Sequence, residues 1–246
     1  MPHPSPCAGK PSPATTPAAP PSTSSKAPAS RERRSRSRHR QLILEAACNE
    51  FAAKGFSACQ TLDIALRAGV PKANLYYYFH TKENLYAEVL EPLRAPLQQA
   101  SSLLSREVAP ATALAAYIAA RLQIVQAYPL RSKIFCSELL HGAQQLPEAW
   151  RNELHACNQD EIACLRHWMA RGLIQAVAPE HLLLFIGSAT QTYPTLGWQI
   201  ALIRGKDGPH EQDIDAVAAT LTRMVLAGAV APPRGVVRQP GRALAT

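Results

Sequence analysis

Four polar side chains stand close together in the sequence, at Lys72, Asn74, Tyr76 and Tyr77. A lysine can donate hydrogen bonds to guanine, an asparagine can make two hydrogen bonds with adenine, and tyrosine hydroxyls can reach phosphate oxygens. These are contacts that a helix makes when it lies in the major groove of DNA. The cluster therefore predicts a DNA-recognition helix, provided that neighbouring helices hold it in place.

The residues before this cluster have the pattern of the supporting helix. A short helix is predicted over residues 61–68, with Thr61 as its N-cap and Gly69 at its end. Pro71 is predicted to open the next helix, because the first helical position does not need the N–H that proline lacks. Two short helices joined by a turn that contains glycine form a helix-turn-helix.

Helical periodicity extends along the chain, so the predicted fold class is all-α. Further helices are predicted over residues 41–55, from Thr81 onward, and over 110–127, 130–142, 147–171, 179–204 and 211–231. Pro92 and Pro96 are expected to interrupt the helix that starts at Thr81. No stretch alternates between apolar and polar residues for long enough to predict a strand.

Composition and charge divide the chain into four segments. Residues 1–30 hold nine prolines and almost no large apolar side chain, which predicts a disordered tail. Residues 31–90 are predicted to form a basic arm followed by a three-helix helix-turn-helix domain; residues 31–82 carry ten basic residues against four acidic ones. Residues 91–231 are predicted to be a helical domain for ligand binding and dimerisation, and residues 232–246 a flexible tail. This concentration of positive charge in the front half indicates a module that binds a polyanion, joined to a domain with a second function.

The basic arm has six arginines between residues 31 and 40. One interpretation is a segment that contacts DNA phosphates or the minor groove, which its position before a helix-turn-helix favours. The alternative is a solubilising flank or a frayed start of the first helix.

The stretch from Leu42 to Leu90 resembles the N-terminal domain of the TetR family of bacterial regulators. The similarity lies in the sequence FAAKGF at 51–56, Thr61, Ile64 and Ala65, AGV at 68–70, LYYYF at 75–79 and KENL at 82–85. It implies that Thr61, Tyr77 and Lys82 contact DNA phosphates. It also implies that Lys72, Asn74 and Tyr76 face the groove. Pro71 and Asn74 differ from the residues common in the family, so its base preference does not transfer.

A second resemblance covers the back half of the chain. Residues 128–136, 138–143, 179–182 and 189–193 are similar to the C-terminal domain of the pyrimidine-utilisation regulator subfamily. The resemblance implies a homodimer that responds to a small molecule, of which a nucleobase-like compound is one possibility. Gly187 and Thr192 replace bulkier residues expected there, so the ligand of that subfamily is not assigned to this protein.

The predicted helix 179–204 changes from apolar to polar partway along its length. Ser188, Gln191 and Tyr193 are predicted to line a ligand pocket, with Gln191 the strongest candidate because an amide can both donate and accept. The alternative for these polar groups is a dimer seam or a helix end before Pro194. The last two predicted helices have broad apolar faces, which predicts that two subunits associate through a four-helix interface.

Two other classes of function were weighed against this prediction. An enzyme or metal site could use His155, Cys157, Cys164 and His167, which share one helical segment. However, no protease, hydrolase or phosphate-loop motif accompanies them, so neither catalysis, a metal nor a cofactor is expected. The second class is a non-specific nucleic-acid binder, which would have no need of a neutral helical domain of this size.

The expected protein is therefore a bacterial transcriptional regulator, with repression as the default mode and activation as the alternative. A homodimer would place two recognition helices on a pseudo-palindromic site in double-stranded DNA. A small effector would release it by binding more tightly to the form that cannot bind DNA. The sequence has neither a secretory signal nor an apolar run long enough to span a membrane, which predicts a cytoplasmic location without membrane partners.

Overall fold

The computed structural model describes residues 27–192, 196–205 and 213–229. These residues form α-helices and one 3₁₀ helix and contain no β-strand, which confirms the all-α prediction. The α-helices are α1 (Ala27–Ala58), α2 (Thr61–Ala68), α3 (Lys72–Phe79), α4 (Lys82–Leu90), α5 (Arg94–Ser102), α6 (Pro110–Ala127), α7 (Pro129–Leu140), α8 (Glu148–Ala170), α9 (Pro179–Thr192), α10 (Gly197–Arg204) and α11 (Asp213–Ala229). The 3₁₀ helix η1 covers Glu91–Leu93. Tyr193, residues 1–26 and the tail 232–246 lie outside the described residues.

The first helix changes direction where the sequence predicts its end. Gly55 has φ 74° and ψ 174°, a conformation open to glycine, and α1 continues for one short segment beyond it. Phe51, before the break, lies edge-on to the ring of Tyr86, with ring centroids 4.9 Å apart. Phe56, after the break, also meets Tyr86, at 5.0 Å. The break therefore lets both phenylalanines pack on α4.

The helix-turn-helix forms as predicted, although its caps differ from the prediction. Gln60, not Thr61, is the N-cap of α2, and no side chain caps this helix. Gly69 ends α2 in the left-handed conformation, with φ 65°, and its N–H bonds to the last turn. Pro71 is the N-cap of α3 and stands one position before the helix starts. Its fixed φ still suits the turn.

The fourth helix begins at its predicted residue. The hydroxyl of Thr81 accepts a hydrogen bond from the backbone N–H of Asn84 and caps α4. Pro92 lies in η1 and interrupts the path of the chain, as predicted. Pro96 does not interrupt it, because it stands in the first turn of α5, where proline is tolerated.

The prediction of one helix over 179–204 was wrong. The structure has two helices, α9 and α10, and Leu196 between them is not helical. Pro194, inside this span, cannot supply the N–H that a continuous helix needs at that point. The sequence-based prediction extended an apolar pattern across a residue that breaks it.

Two apolar cores hold the described helices together. One runs from the helix-turn-helix, with Phe51 and Leu75, into α7 and α8, with Phe135 and Trp150. The other lies within the back half, where α6 packs against α9 and α11 around residues such as Trp168. The first core therefore connects the helix-turn-helix directly to the C-terminal part of the protein.

Buried polar contacts reinforce this connection. The hydroxyl of Tyr86 on α4 donates to Oε2 of Glu138 on α7 over 3.0 Å. The other carboxylate oxygen of Glu138 accepts from the backbone N–H of Gln145 over 2.6 Å. Nearby, Nε of Arg131 donates to the backbone carbonyl of Val89 over 2.9 Å. These bonds tie the end of α4 to α7 by specific, directional contacts.

Replacing Glu138 by alanine should destabilise the fold. The change removes the acceptor of the buried Tyr86 hydroxyl and of the Gln145 N–H. Leaving a buried polar group unpaired costs about 1–3 kcal/mol. We expect the free energy of unfolding, measured by urea denaturation, to fall by about 2 kcal/mol or more. Glu45→Ala is the matched control, because Glu45 is an exposed carboxylate on α1. Equal losses in both variants would contradict a special role for Glu138.

Candidate nucleic-acid interface and ligand cavity

The third helix has one buried side and one exposed side. Leu75 and Phe79 are buried in the first core. Lys72, Tyr76 and Tyr77 are exposed, and Tyr77 retains 63% of its accessible surface. Leu75 and Phe79 share one face because they are four residues apart, and Lys72 and Tyr76 share another for the same reason. The exposed side of α3 therefore presents a lysine and two phenols to a partner.

Contacts between α2 and α3 hold some of these groups in place. The hydroxyls of Thr61 and Tyr76 lie 3.2 Å apart, within hydrogen-bonding distance. The ammonium of Lys72 lies 5.8 Å from the centroid of the Tyr76 ring. Asn74, also predicted to face the groove, is half-buried. Thr61, Tyr76 and Lys72 are thus linked to one another by these two contacts.

The two remaining predicted contacts differ in their surroundings. The rings of Tyr77 and Tyr78 lie at a steep angle to each other, with centroids 5.1 Å apart, and Tyr77 is largely exposed. Lys82 is half-buried, with its ammonium 4.4 Å from the centroid of the Phe56 ring. This cation–π contact positions the Lys82 charge at the start of α4.

Ion pairs separate the cations that serve the fold from those available to a partner. Glu50 is buried between α1 and α2 and pairs with Lys54 at 2.7 Å and Arg67 at 2.6 Å. The hydrogen bonds from Lys54 and then Arg67 lower the pKa of Glu50, despite its burial. Among the described residues, neither Lys72 nor Lys82 pairs with a carboxylate.

The C-terminal part contains two adjoining cavities, of about 150 and 10 Å³. Leu97, Arg121 and Phe135 line both of them. In the larger cavity the rings of Phe135 and Trp150 stack, with centroids 5.7 Å apart and planes inclined by 14°. An apolar cavity with an aromatic wall and a few polar groups has the character of a small-molecule site.

Arg121 is the cation common to both cavities. Its Nε donates to the Thr190 hydroxyl over 3.3 Å, and its Nη1 donates to the Tyr117 hydroxyl over 3.4 Å. The guanidinium carbon also lies 5.6 Å from the centroid of the Tyr117 ring. These contacts orient a half-buried charge towards the interior of the domain.

Two further polar groups border this space. Glu161 lines the larger cavity and is buried, and burial raises the pKa of its carboxyl, against the opposing effects of the Ser101 hydroxyl and the Arg121 charge. Ser132 lines the smaller cavity and is also buried. Its hydroxyl has no hydrogen-bond partner in the part of the chain that the structure describes.

The predicted ligand residues divide three ways in the structure. Gln191 lines the smaller cavity. Ser188 is exposed on α9 and does not line either of the two cavities. Tyr193 is outside the described residues. Sequence reasoning missed Arg121, although a visible signal existed: it is the only charged residue in the segment that forms α6.

Replacing Glu161 by glutamine should stabilise the protein at neutral pH. An acid whose pKa is raised by folding destabilises the fold when ionised, and this cost disappears as pH falls through the raised pKa. The gain in unfolding free energy should therefore shrink as the pH is lowered towards 4.5, the ordinary value.

The control for this prediction is Glu153→Gln, which should lower the free energy of unfolding at neutral pH instead of raising it. The hydrogen bond from Arg94 lowers the pKa of Glu153, so its contribution is present at neutral pH and is lost on acidification. Chemical denaturation of both variants from neutral pH down to below 4.5, the ordinary pKa of both carboxyls, tests the pair. A destabilised Glu161→Gln variant at neutral pH would show that the carboxylate is needed in its charged form.

The described residues contain no cluster of three or more His, Cys, Asp or Glu residues placed to hold a metal ion. Of the four residues considered as metal ligands, Cys164 is buried and His155 is exposed. None of the described helices combines the length and apolar character needed to cross a membrane.

Two family profiles match the sequence. Residues 43–89 match the family described as bacterial regulatory proteins, tetR family. Residues 88–232 match the C-terminal region of YcdC-like proteins, which covers more than half of the chain. The two matches meet at α4, the helix that carries Tyr86 and contacts both the recognition helix and α7.

Individual proteins show the same similarity. The HTH-type transcriptional regulator RutR of Escherichia coli K12 is 31% identical over 193 residues, which is 77% of this chain and 89% of that protein. The HTH-type transcriptional repressor NicS of Pseudomonas putida is 30% identical over 160 residues, 63% of this chain and 74% of its own length. The ketosteroid transcriptional regulator KstR2 of Mycobacterium tuberculosis shares the fold, with a TM-score of 0.63 and 20% identity. The match covers 78% of this chain and 95% of KstR2.

Proposed function

The chain belongs to the TetR family of bacterial helix-turn-helix transcriptional regulators, and we propose a division of labour within it. Residues 31–90 bind DNA, and residues 91–231 sense a small effector and form the dimer. Binding at the operator represses transcription, and the effector releases it. The effector acts by binding the DNA-incompetent arrangement more tightly, because a ligand shifts an equilibrium only by its differential affinity.

The exposed side of α3 carries this proposal. Lys72, Asn74 and Tyr76 face base edges in the major groove, where lysine and asparagine can distinguish base pairs. Thr61, Tyr77 and Lys82 contact phosphates and fix the orientation of the helix. The absence of carboxylate partners at Lys72 and Lys82 among the described residues supports this assignment.

The dimer forms through the apolar surfaces of the last helices. On α10, Trp198 and Leu202 are four residues apart and share a face, and both are largely exposed, as is Ile203. On α9, Leu184 and Phe185 are exposed as well. Burying these side chains against a second copy would remove a large apolar surface from water. The two recognition helices then read the two halves of a pseudo-palindrome.

No catalytic role or cofactor is part of this proposal, because the relatives above are all named as regulators. The protein works where its DNA partner lies, in the cytoplasm. Its arginine-rich segment between residues 31 and 40 adds contacts to phosphates or the minor groove, which would strengthen binding to any sequence.

Selection of bound fragments from a random DNA pool at physiological salt tests the proposed function. We expect enrichment of an inverted repeat whose half-sites lie about one helical turn apart or a multiple of it. Binding that selects no sequence and disappears as salt rises would contradict the proposal. That outcome would leave only electrostatic attraction by the basic arm.

A further inference from the structure

The guanidinium of Arg121 has few partners for a charge in this position. Its two hydrogen bonds are long and go to neutral hydroxyls, those of Thr190 and Tyr117. A guanidinium has five N–H donors and keeps its charge at every pH that a protein tolerates. Within the part of the chain that the structure describes, no carboxylate lies within 4.0 Å of this half-buried guanidinium.

A second donor lies at the same cavity. The Ser132 hydroxyl is buried, has no hydrogen-bond partner among the described residues, and lines the smaller cavity together with Arg121. Buried hydroxyls are normally hydrogen-bonded, so an unpaired one points to a partner that the chain itself does not supply. Two donors that border one apolar space favour a ligand rich in hydrogen-bond acceptors.

We propose that these cavities bind a small planar carboxylate, whose oxygens accept hydrogen bonds from Arg121 and Ser132. This assignment rests on the proposed function, in which the cavity holds the effector. A carboxylate matches a guanidinium in charge and in planar geometry, and paired N–H···O bonds between them are among the stronger ones in proteins.

The larger cavity sets the size of the ligand. Its volume of about 150 Å³ suits one six-membered ring, since an engineered apolar cavity of about 150 Å³ binds benzene. The stacked rings of Phe135 and Trp150 give it a flat wall, and Leu97 and Leu154 add apolar surface. A ring in this cavity can direct its carboxylate towards Arg121, which borders both cavities.

Other charged groups at the cavity are compatible with an anion. Burial raises the pKa of the Glu161 carboxyl, so a proton taken up when an anion binds would make this group a hydrogen-bond donor to the ligand. Arg94 and Glu153 line the same cavity but form an ion pair with each other. Arg121 is therefore the cation available to a carboxylate.

Calorimetric titration of the full chain with benzoate, benzamide and uracil tests the ligand class. Benzamide has the size of benzoate without its charge, and uracil represents the neutral nucleobase that the subfamily resemblance suggests. We expect benzoate to bind, and the two neutral probes to bind at least about tenfold more weakly, because charge-assisted hydrogen bonds are the stronger ones. No binding of benzoate, or equal binding of a neutral probe, would overturn the proposal.

Three variants locate the binding group. Arg121→Gln should weaken benzoate binding by about tenfold or more. Arg166→Gln, which removes an exposed cation that pairs with Glu180 and lines neither cavity, should leave it unchanged, and Glu161→Gln should preserve or tighten it. Benzoate binding that survives Arg121→Gln would overturn the assignment. The comparison of probes on the unmodified chain decides the matter even if a variant does not fold.

Separate measurements distinguish the two proposals. A chain that enriches an inverted repeat but does not bind benzoate retains the proposed function and loses the ligand assignment. A chain that binds benzoate through Arg121 but selects no DNA sequence retains the ligand assignment and loses the proposed function.

Discussion

Replacing Trp198 by glutamate should convert the protein to a monomer and lower its affinity for the operator by about 10²- to 10⁴-fold, the usual gain from two linked binding sites. A charge at the centre of an apolar interface would lose its hydration on association. In a single protomer Trp198 retains 79% of its accessible surface, so the substitution should leave the protomer folded. The expected loss therefore arises from dimerisation alone.

Sedimentation or light scattering measures the association state, and fluorescence anisotropy with a single operator measures the affinity. Gln199→Glu is the matched control, because this neighbour on α10 is exposed and receives the same charge. Unchanged circular dichroism would confirm that the fold is intact. A Trp198→Glu protein that remains a dimer would place the interface elsewhere on the molecule.

Replacing Lys72 by alanine should change which DNA sequences the protein prefers. Each specific base contact contributes about 1–3 kcal/mol of discrimination, and a symmetric dimer loses two of them. Discrimination at the affected position should therefore fall by one to several orders of magnitude, with the same change in both half-sites. Lys72 is exposed and forms no ion pair among the described residues, so stability should change little.

Tyr77→Ala is the comparison for Lys72→Ala. If Tyr77 contacts phosphate, its loss weakens binding to every sequence alike and leaves the preferred sequence unchanged. Sequencing of the fragments selected by each variant distinguishes the two effects. A Lys72→Ala protein with the original preference would remove Lys72 from the base-reading group, and the other exposed residues of α3 would have to supply it.

Local rules were enough to predict most helices. The start of α4 at its Thr81 cap and the limits of α6 at Pro110 and Ala127 are as predicted. These positions have strong local signals, which are a capping hydroxyl in one case and a proline that opens a long periodic segment in the other. The error at Thr61 has a physical cause: its hydroxyl is occupied by Tyr76, fifteen residues further along the chain.

The candidate sites also show that sequence reasoning misses contacts between residues that are distant in the chain. The exposed side of α3 follows from its own periodicity, so Lys72, Tyr76 and Tyr77 could be identified from sequence, and their contacts with DNA stay a prediction. The larger cavity is made by residues from helices that are distant in sequence, such as Arg121 on α6 and Glu161 on α8. Only packing brings these residues together, and no local pattern reports it.

The apolar core that joins the helix-turn-helix to α7 and α8 affects how the protein can be divided. Cutting the chain after Leu90 would expose the buried faces of Tyr86, Val89 and Leu90 to water. The DNA-binding part is thus not an independent module that could be transplanted intact onto another sensor. The helix-turn-helix and the helices α7 and α8 belong to one cooperative folding unit, so denaturation of the protomer should show a single transition.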